Sequence, residues 1–461
     1  MVWFVAGCTV TAYLDLSATD SAAVPLGTES ATIPDGLEEV SGLWSEVLEE
    51  VGSVVKVGWV QNVPADVWVQ YAFDEGVWLS SPARTLAAGS HEELLLGIPY
   101  GEAVTWQLSI DGKLTTPRME VTDDPPGKMP VPELGTSDPS RFEPSMQFVY
   151  TAVNEAGANF GGRWWVMFVD RQGRVVWARR TDVERVALHP RPSWDGRTLL
   201  MEQNSYWGAL DGGVSSQIQR LTIDGTVLQT WDTPGLHHPY MEKPNGALVY
   251  AHMYGPYADD TLDVIAPDGT RTELFSCDAF LSSIDQPGYC GSNTVSYDEA
   301  SNRFLFSLYS TDAVVEVDAD TGQATRWFGQ LNGAYVFEPE ESTFWWQHGG
   351  YWTAEGTLLL STRVSEAGHE TVVREYVADD TTGTLAEVWN FGVGLGVYGA
   401  EMGEAHRLAG GNTLHNYGTN ARLREATPEG EVVWELFWPN DQDIGRSTPI
   451  SDLYAFAPVR L

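Results

Sequence analysis

"IDGTVLQTW", Ile223–Trp231, is a glycine turn followed by an alternating run that ends on an aromatic. Glycine reaches the positive φ of a tight hairpin turn at no steric cost, and alternation is the signature of a strand with one buried face. The same unit recurs as "RQGRVVW" ending at Trp177, "PDGTRTELF" at Phe275, "DTGQATRW" at Trp327, "TTGTLAEVW" at Trp389 and "PEGEVVW" at Trp434. Its glycines, Gly173, Gly225, Gly269, Gly322, Gly383 and Gly430, stand 44 to 61 residues apart. That is the period of four-stranded propeller blades. Six units after Ser145 predict an all-β chain whose residues 145–461 form a six-bladed β-propeller. The final "DLYAFAPV", Asp452–Val459, has strand character and is expected to close the ring on the first blade, removing a free edge.

Upstream, "SVVKVGWVQ", "DVWVQYAF", "HEELLLGI" and "AVTWQLSIDG" alternate between Pro, Gly and Asp turns. They predict a small immunoglobulin/fibronectin-like β-sandwich over 36–122, with one short helical period in "GLWSEVLEEV". Residues 123–144 are proline-rich and predict a linker. Residues 1–35 combine a Ser/Thr/Ala-rich linker with "VAGC", which resembles the lipidation box of a truncated lipoprotein-type signal, with Cys8 as the lipid attachment point.

The chain carries 26 Lys plus Arg against 64 Asp plus Glu, a net charge of -38, which makes nucleic acid and anionic membrane surfaces poor partners. An anionic substrate needs a local patch of positive charge or oriented N–H groups. No stretch approaches eighteen uninterrupted apolar residues, so membrane contact is expected only through the N-terminal lipid. Cys277 and Cys290, thirteen apart in a Gly/Pro/Ser-rich loop, read as a loop-closing disulfide in an oxidising compartment. The expected location is exported, periplasmic or cell-surface.

A second element precedes each aromatic-ended hairpin. His348 lies eight residues before Gly356 in "HGGYWTAEGTLLL", and His238 eight before Gly246 in "HPYMEKPNGALVY". His189 in "HPRPSWDGRTLL" and His406 in "EAHRLAGGNTL" follow in a slightly different register. Equivalent positions on innermost strands converge on one axis, so these imidazoles are candidates for a common space. A neutral imidazole is a nucleophile, and a protonated one neutralises an anion. The candidates are His237, His238, His252, His348, His406 and His415, with Arg363, Arg407 and Lys243 as cations and Asn293 as a neutral partner. Phe344, Trp345, Trp346, Tyr351 and Trp352 would wall an aryl site. Ordinary roles compete: His406 and His415 flank a strand turn, the Pro after His238 suits a turn for His237 and His238, strand alternation sends part of the Trp run into the core, and His91 reads as a surface residue. No metal-ligand spacing, nucleophile elbow, phosphate loop or dinucleotide fingerprint is present, so no cofactor or metal is expected.

From "SNTVSYDEASNRFLFSLYSTDAVVEVDADTGQATRWFG" through "WWQHGGY" to "VVREYVADDTTGTLAEVWNFG" the chain resembles the bacterial arylsulfate sulfotransferase family. The resemblance runs from about Ser145 to the C-terminus and is best from Cys290 to Asp379. It implies a periplasmic six-bladed propeller with a smaller N-terminal β-domain that can pair two chains into a homodimer. It further implies that the histidine of the "QH" segment, His348, takes a sulfuryl group from a phenolic sulfate ester and passes it to a phenolic acceptor, without a nucleotide donor. Asn293 matches a family site residue. Gly291 stands where the family has a second channel histidine, and Tyr309 where it has an arginine that grips the sulfuryl oxygens. The reading therefore places His348, Asn293, His238 and His237 in catalysis and His252, Arg363, Tyr309, Trp346 and His406 around the substrate. Two competitors stay open: a catalytically silent propeller that binds an aryl or sulfated ligand or a protein partner, and a sulfatase-like hydrolase.

Overall fold

The computed structural model describes residues 37–457, apart from 75–76, 156, 158–159, 161, 208–210, 254–258 and 441. The signal-like start, its linker and Cys8 lie outside the described residues. The chain is all-β.

The N-terminal unit has two antiparallel sheets. Val40–Leu48, Val51–Gln61 and Gly89–Leu95 form one, and Ala65–Ala72 with Ala103–Ile110 lead the other. Their alternating apolar faces, including Val57, Trp59, Val69, Tyr71, Trp106 and Leu108, enclose one core. The helical period expected in "GLWSEVLEEV" is instead part of Val40–Leu48, because pairing with Val51–Gln61 along its whole length outweighs local helical preference. The unit is docked firmly: Val51, Val54, Leu94 and Leu96 share a buried cluster with Tyr150, Trp177 and Phe456, and Ser53 donates to the Val176 carbonyl at 2.8 Å.

Six further antiparallel assemblies follow, each built on four strands. Every repeated glycine turns the outer hairpin of a different one, with φ between 68° at Gly383 and 87° at Gly225. In three of the units the closing aromatic ties its sheet to the next. Trp177, Trp389 and Trp434 donate their indole N–H to the carbonyls of Ile223, Pro428 and Arg171, each two residues before the turn glycine of the next sheet. The last of these bonds runs from the sixth sheet back to the first. Closure is completed by Ile444–Ile450, which pairs with Phe148–Asn154 of the first sheet. "DLYAFAPV" is therefore not the closing strand: Leu453–Phe456 is a 3-10 turn, and Tyr454 donates to the Leu94 carbonyl of the N-terminal unit. The stretch 123–144 is likewise more than a linker, since Glu133–Ser137 adds a strand outside Val432–Phe437. In the cysteine loop, Cys277–Ser283 is a helix capped by Ser276, and Cys277 is joined to Cys290 by a disulfide.

Six edge strands line the inner side of these sheets: β1 (Arg191–Pro192), β2 (Leu236–Glu242), β3 (Ser292–Asp298), β4 (Trp345–Trp352), β5 (Glu404–Arg407) and β6 (Ile444–Ile450). β2 packs on β3, β3 on β4, β4 on β5, β5 on β6, and β6 on β1. Functional side chains from distant parts of the sequence meet on these strands.

Candidate functional site

The inner strands border two cavities. The first, of about 290 Å³, is lined by His237 and His238 of β2, Ser292 and Asn293 of β3, His348 of β4, and Tyr309. Phe160, Tyr206, Trp207 and Tyr289 add an aromatic wall. The second, of about 350 Å³, is lined by His189, Arg191, Trp194, Tyr297, His406 and Arg446 among others.

His348 sits at a break in β4. Pairing with Leu358–Arg363 slips between Trp345 and His348 and again before Tyr351, so the strand bulges and re-aims the imidazole. Trp346 has φ of 55°, a left-handed backbone that is an outlier for a bulky residue. Its N–H is bound by the Asp312 carboxylate, and its carbonyl accepts from His348 Nδ1 at 3.0 Å. On the other side of the ring, the Met402 N–H donates to Nε2 at 3.1 Å. Nδ1 therefore carries the proton and Nε2 the lone pair. Burial pushes the His348 pKa down to about 3, with the Arg446 guanidinium adding to the shift. The imidazole is neutral throughout the physiological range, the form a nucleophile requires.

Asn293 acts on this strand from β3. Its Nδ2 donates to the Gln347 carbonyl at 2.6 Å, immediately before His348, and its Oδ1 accepts from Thr294. Thr294 Oγ1 in turn accepts the Gly349 N–H at 2.9 Å. Gly349 has φ of 69°, and a Cβ there would lie 2.4 Å from the Glu404 Cβ and 2.7 Å from Arg446 Nη1. Glycine after His348 thus lets β5 and β6 close against β4.

The other two imidazoles are neutral as well. Burial pushes His237 down to about 4, and its Nδ1 is bound to the Ser292 carbonyl at 2.9 Å. Burial, then the neighbouring His237, holds His238 well below its ordinary value, and its Nδ1 has no hydrogen-bond partner. The expected protonated partner is therefore replaced by a pair of uncharged rings. Tyr309, 5.3 Å from the His348 ring, keeps its phenolic proton, its pKa raised to about 12 by burial. Among the described residues, no lysine or arginine lines this cavity.

Trp346 and Arg363 meet His348 and Met402 around a third, small cavity of about 10 Å³. The Trp346 ring is tilted against Tyr309 with centroids 5.1 Å apart, and Arg363 lies 4.8 Å from its ring centroid. The other candidates lie elsewhere. His252 faces Asp263 at 3.5 Å at the end of Leu248–His252 and does not line the cavity. His406 faces the second cavity, 3.2 Å from Glu404. His415 is core, bound to Ser361 at 3.0 Å. Strand alternation sends neighbouring positions to opposite sides, which accounts for the split. Arg407 ion-pairs with Glu375, and Lys243 lies over Tyr297 at 5.2 Å.

Two features had no sequence signal. Arg446 lines the second cavity and reaches towards the first: it donates to Glu404 at 3.2 Å, to the Asn293 carbonyl at 3.0 Å, to Thr294 and to His189. The Met402 N–H is supplied by a residue at φ of 65° in the segment before β5. Among the described residues no group of three or more His, Cys, Asp or Glu is placed to hold a metal ion.

Residues 290–444, which carry β3, β4, β5 and the start of β6, match the family described as Arylsulfotransferase (ASST). Among curated proteins nothing matches the chain. Solved structures resemble it at low identity. A Bacteroides caccae protein of unknown function is 14% identical, covering 66% of this chain and 99% of its own, with a TM-score of 0.43. Virginiamycin B lyase from Staphylococcus aureus is 12% identical, covering 69% and 100%, with a TM-score of 0.38. The β-propeller domain of Myceliophteria thermophila Cps50 (Swd1) is 13% identical, covering 67% and 90%, with a TM-score of 0.37.

Proposed function

We propose that this chain, a member of the arylsulfotransferase family over residues 290–444, transfers a sulfuryl group from a phenolic sulfate ester to a phenolic acceptor through a sulfohistidine at His348. The carrying observation is a neutral imidazole, its Nδ1 tied to a backbone carbonyl, whose Nε2 faces an aromatic cavity. The Nε2 lone pair forms the N–S bond while the S–O(aryl) bond breaks and its electrons leave with the phenolate. The acceptor oxygen then attacks sulfur, the N–S electrons return to Nε2, and the acceptor's proton is lost to the phenolate or solvent. Nε2 must first leave the Met402 N–H, and that N–H is then a donor for a sulfuryl oxygen. Tyr309, still protonated, is a donor for the leaving oxygen. Asn293 is a positioning residue, since its amide is committed to the Gln347 carbonyl and Thr294. The aromatic wall takes the ring.

The wider reading is a six-bladed β-propeller, with the inner strands around its channel, behind an immunoglobulin/fibronectin-like sandwich. The disulfide supports an exported, periplasmic or surface location. A lipid at Cys8 and pairing of two chains belong to the same proposal.

The test is intact-mass analysis with 4-nitrophenyl sulfate, following nitrophenolate with and without phenol. The expected result is a gain of one sulfuryl group in wild type and none in His348→Ala, with phenol accelerating release. Phenol-independent release would make the protein a hydrolase. One observation favours a binding role instead: no cation lines the cavity, and a lost oxyanion donor costs roughly 10²–10³ in turnover. Tyr309→Arg separates the two. A folded wild type that forms no adduct, together with a Tyr309→Arg variant that does, assigns the natural chain to aryl-ligand binding. No adduct in either removes sulfuryl transfer.

A further inference from the structure

The second cavity differs from the first in charge. Three carboxylates line it, and each is already engaged. Glu242 pairs with Arg220 and accepts the Trp194 N–H at 2.9 Å; Glu404 meets Arg446 and His406, each at 3.2 Å; Asp298 caps its own turn through the Ser301 hydroxyl at 2.5 Å. Arg191 is the exception. Its guanidinium donates to the Tyr240 carbonyl and has no carboxylate partner among the described residues. The side chain is only half-buried by exposure, yet burial lowers its pKa, as for a cation surrounded by protein whose open face is a cavity. Five N–H donors in a rigid fork, one committed, leave a receptor for an oxyanion.

The mouth supplies the other half of a ligand. Trp194 is 40% exposed, large for an indole, and meets Tyr297 edge-on with centroids 5.7 Å apart. Lys243 lies 5.2 Å over the Tyr297 ring. In a chain of net charge -38, an anion is drawn in only where a cation has donors to spare; the three carboxylates lining this cavity are each paired or capped, which leaves Arg191 to supply them.

We propose that this cavity binds a small aromatic anion, with Arg191 taking the carboxylate, sulfonate or ester oxyanion and Trp194 and Tyr297 taking the ring. The site is separate from His348 and rests on its own residues, so failure of sulfuryl transfer leaves it standing.

The test is calorimetric titration of the full chain with 2-naphthalenesulfonate and with the neutral 2-naphthol. Wild type is expected to bind the sulfonate. Arg191→Gln is expected to weaken that binding on the order of tenfold or more, the worth of a charge-assisted hydrogen bond, while leaving 2-naphthol unchanged. Trp194→Ala is expected to weaken both several-fold, and this exposed position decides the matter if Arg191→Gln fails to fold. Sulfonate affinity unchanged in either folded variant, or no binding by wild type, overturns the proposal.

Discussion

The two cavities border several of the same strands, yet one is lined mainly by aromatic and imidazole rings, with Glu401 as its one carboxylate among the described residues, while the other carries arginines and three carboxylates. β4 shows how this arises: His348 faces the first cavity, whereas Gly350, Tyr351 and Trp352 face the second. A bulge at Trp346 and Gln347 sets which side the imidazole takes. The first cavity is built to keep three imidazoles unprotonated; the second offers a guanidinium with donors to spare. Arg446 lies between them, and its charge lowers the pKa of His348, His238 and His189 together. The lesson is that the positive charge belongs to the second cavity, while the first receives its polarity from backbone groups, neutral rings and one carboxylate, Glu401.

Removing Arg446 is the hardest blow to that contrast. Arg446→Met leaves Glu404 buried against one fewer cation and is expected to cost about 3–5 kcal/mol of stability, measured by urea unfolding. The Arg446→Met/Glu404→Gln pair should recover a large part of it, since the penalty lies in the uncompensated charge. A single-variant loss under about 1 kcal/mol would mean that the inner strands are not held together by this pair.

A pH experiment sharpens the neutrality of the first cavity. His237 has an unfolded pKa of 6.5 and a folded value of about 4, so between those values the unfolded chain binds the proton and the folded chain does not. Stability from this residue is complete above pH 6.5 and is lost as pH falls towards 4. The stability gap between wild type and His237→Asn should therefore shrink by about 1.4 kcal/mol per pH unit, or about 2 kcal/mol from 6.5 to 5. Asp260 works in the opposite direction: burial raises it to about 7, so it favours the fold as pH falls from 7 towards 3.8. The variant comparison at fixed pH cancels that contribution. A gap independent of pH would show that His237 is charged in the fold.

The contrast itself was only half legible in the sequence. The six glycine turns announced the sheets, because a tight outer hairpin demands positive φ, and in three of them the indole that follows reaches the next turn. Each of those constraints is local, and each left a residue type at a fixed offset. His348 and Asn293 were legible through the resemblance, and His237 and His238 through their repeat position. Arg446 and the Met402 N–H were not: one is an arginine in a strand about a hundred residues away, the other a backbone group. Their roles depend on the register of β6 and on a left-handed residue, neither of which alternation or spacing records. The split of His348 and His406 between cavities has the same cause, since one residue of register reverses the face.

Gly291 gives the finest test of why the first cavity lacks cations. Gly291→His, which adds the histidine expected from the resemblance, looks equivalent to Tyr309→Arg, but the backbones differ. Gly291 has φ of 54°, and a Cβ there would meet the Ser310 hydroxyl at 2.5 Å, whereas Tyr309 is outside the left-handed region. The Ser310 rotor can turn aside; the backbone cannot. Gly291→His is therefore expected to cost about 1–2 kcal/mol, the penalty of a side chain in the left-handed conformation, read as a lower urea midpoint. It should bring no gain in nitrophenolate release, because an imidazole with its ordinary pKa of about 6.5 is mostly neutral at pH 7 and supplies no fixed cation. Equal stability with increased release would show that the cavity accepts a charge readily, and that its neutrality is one substitution deep.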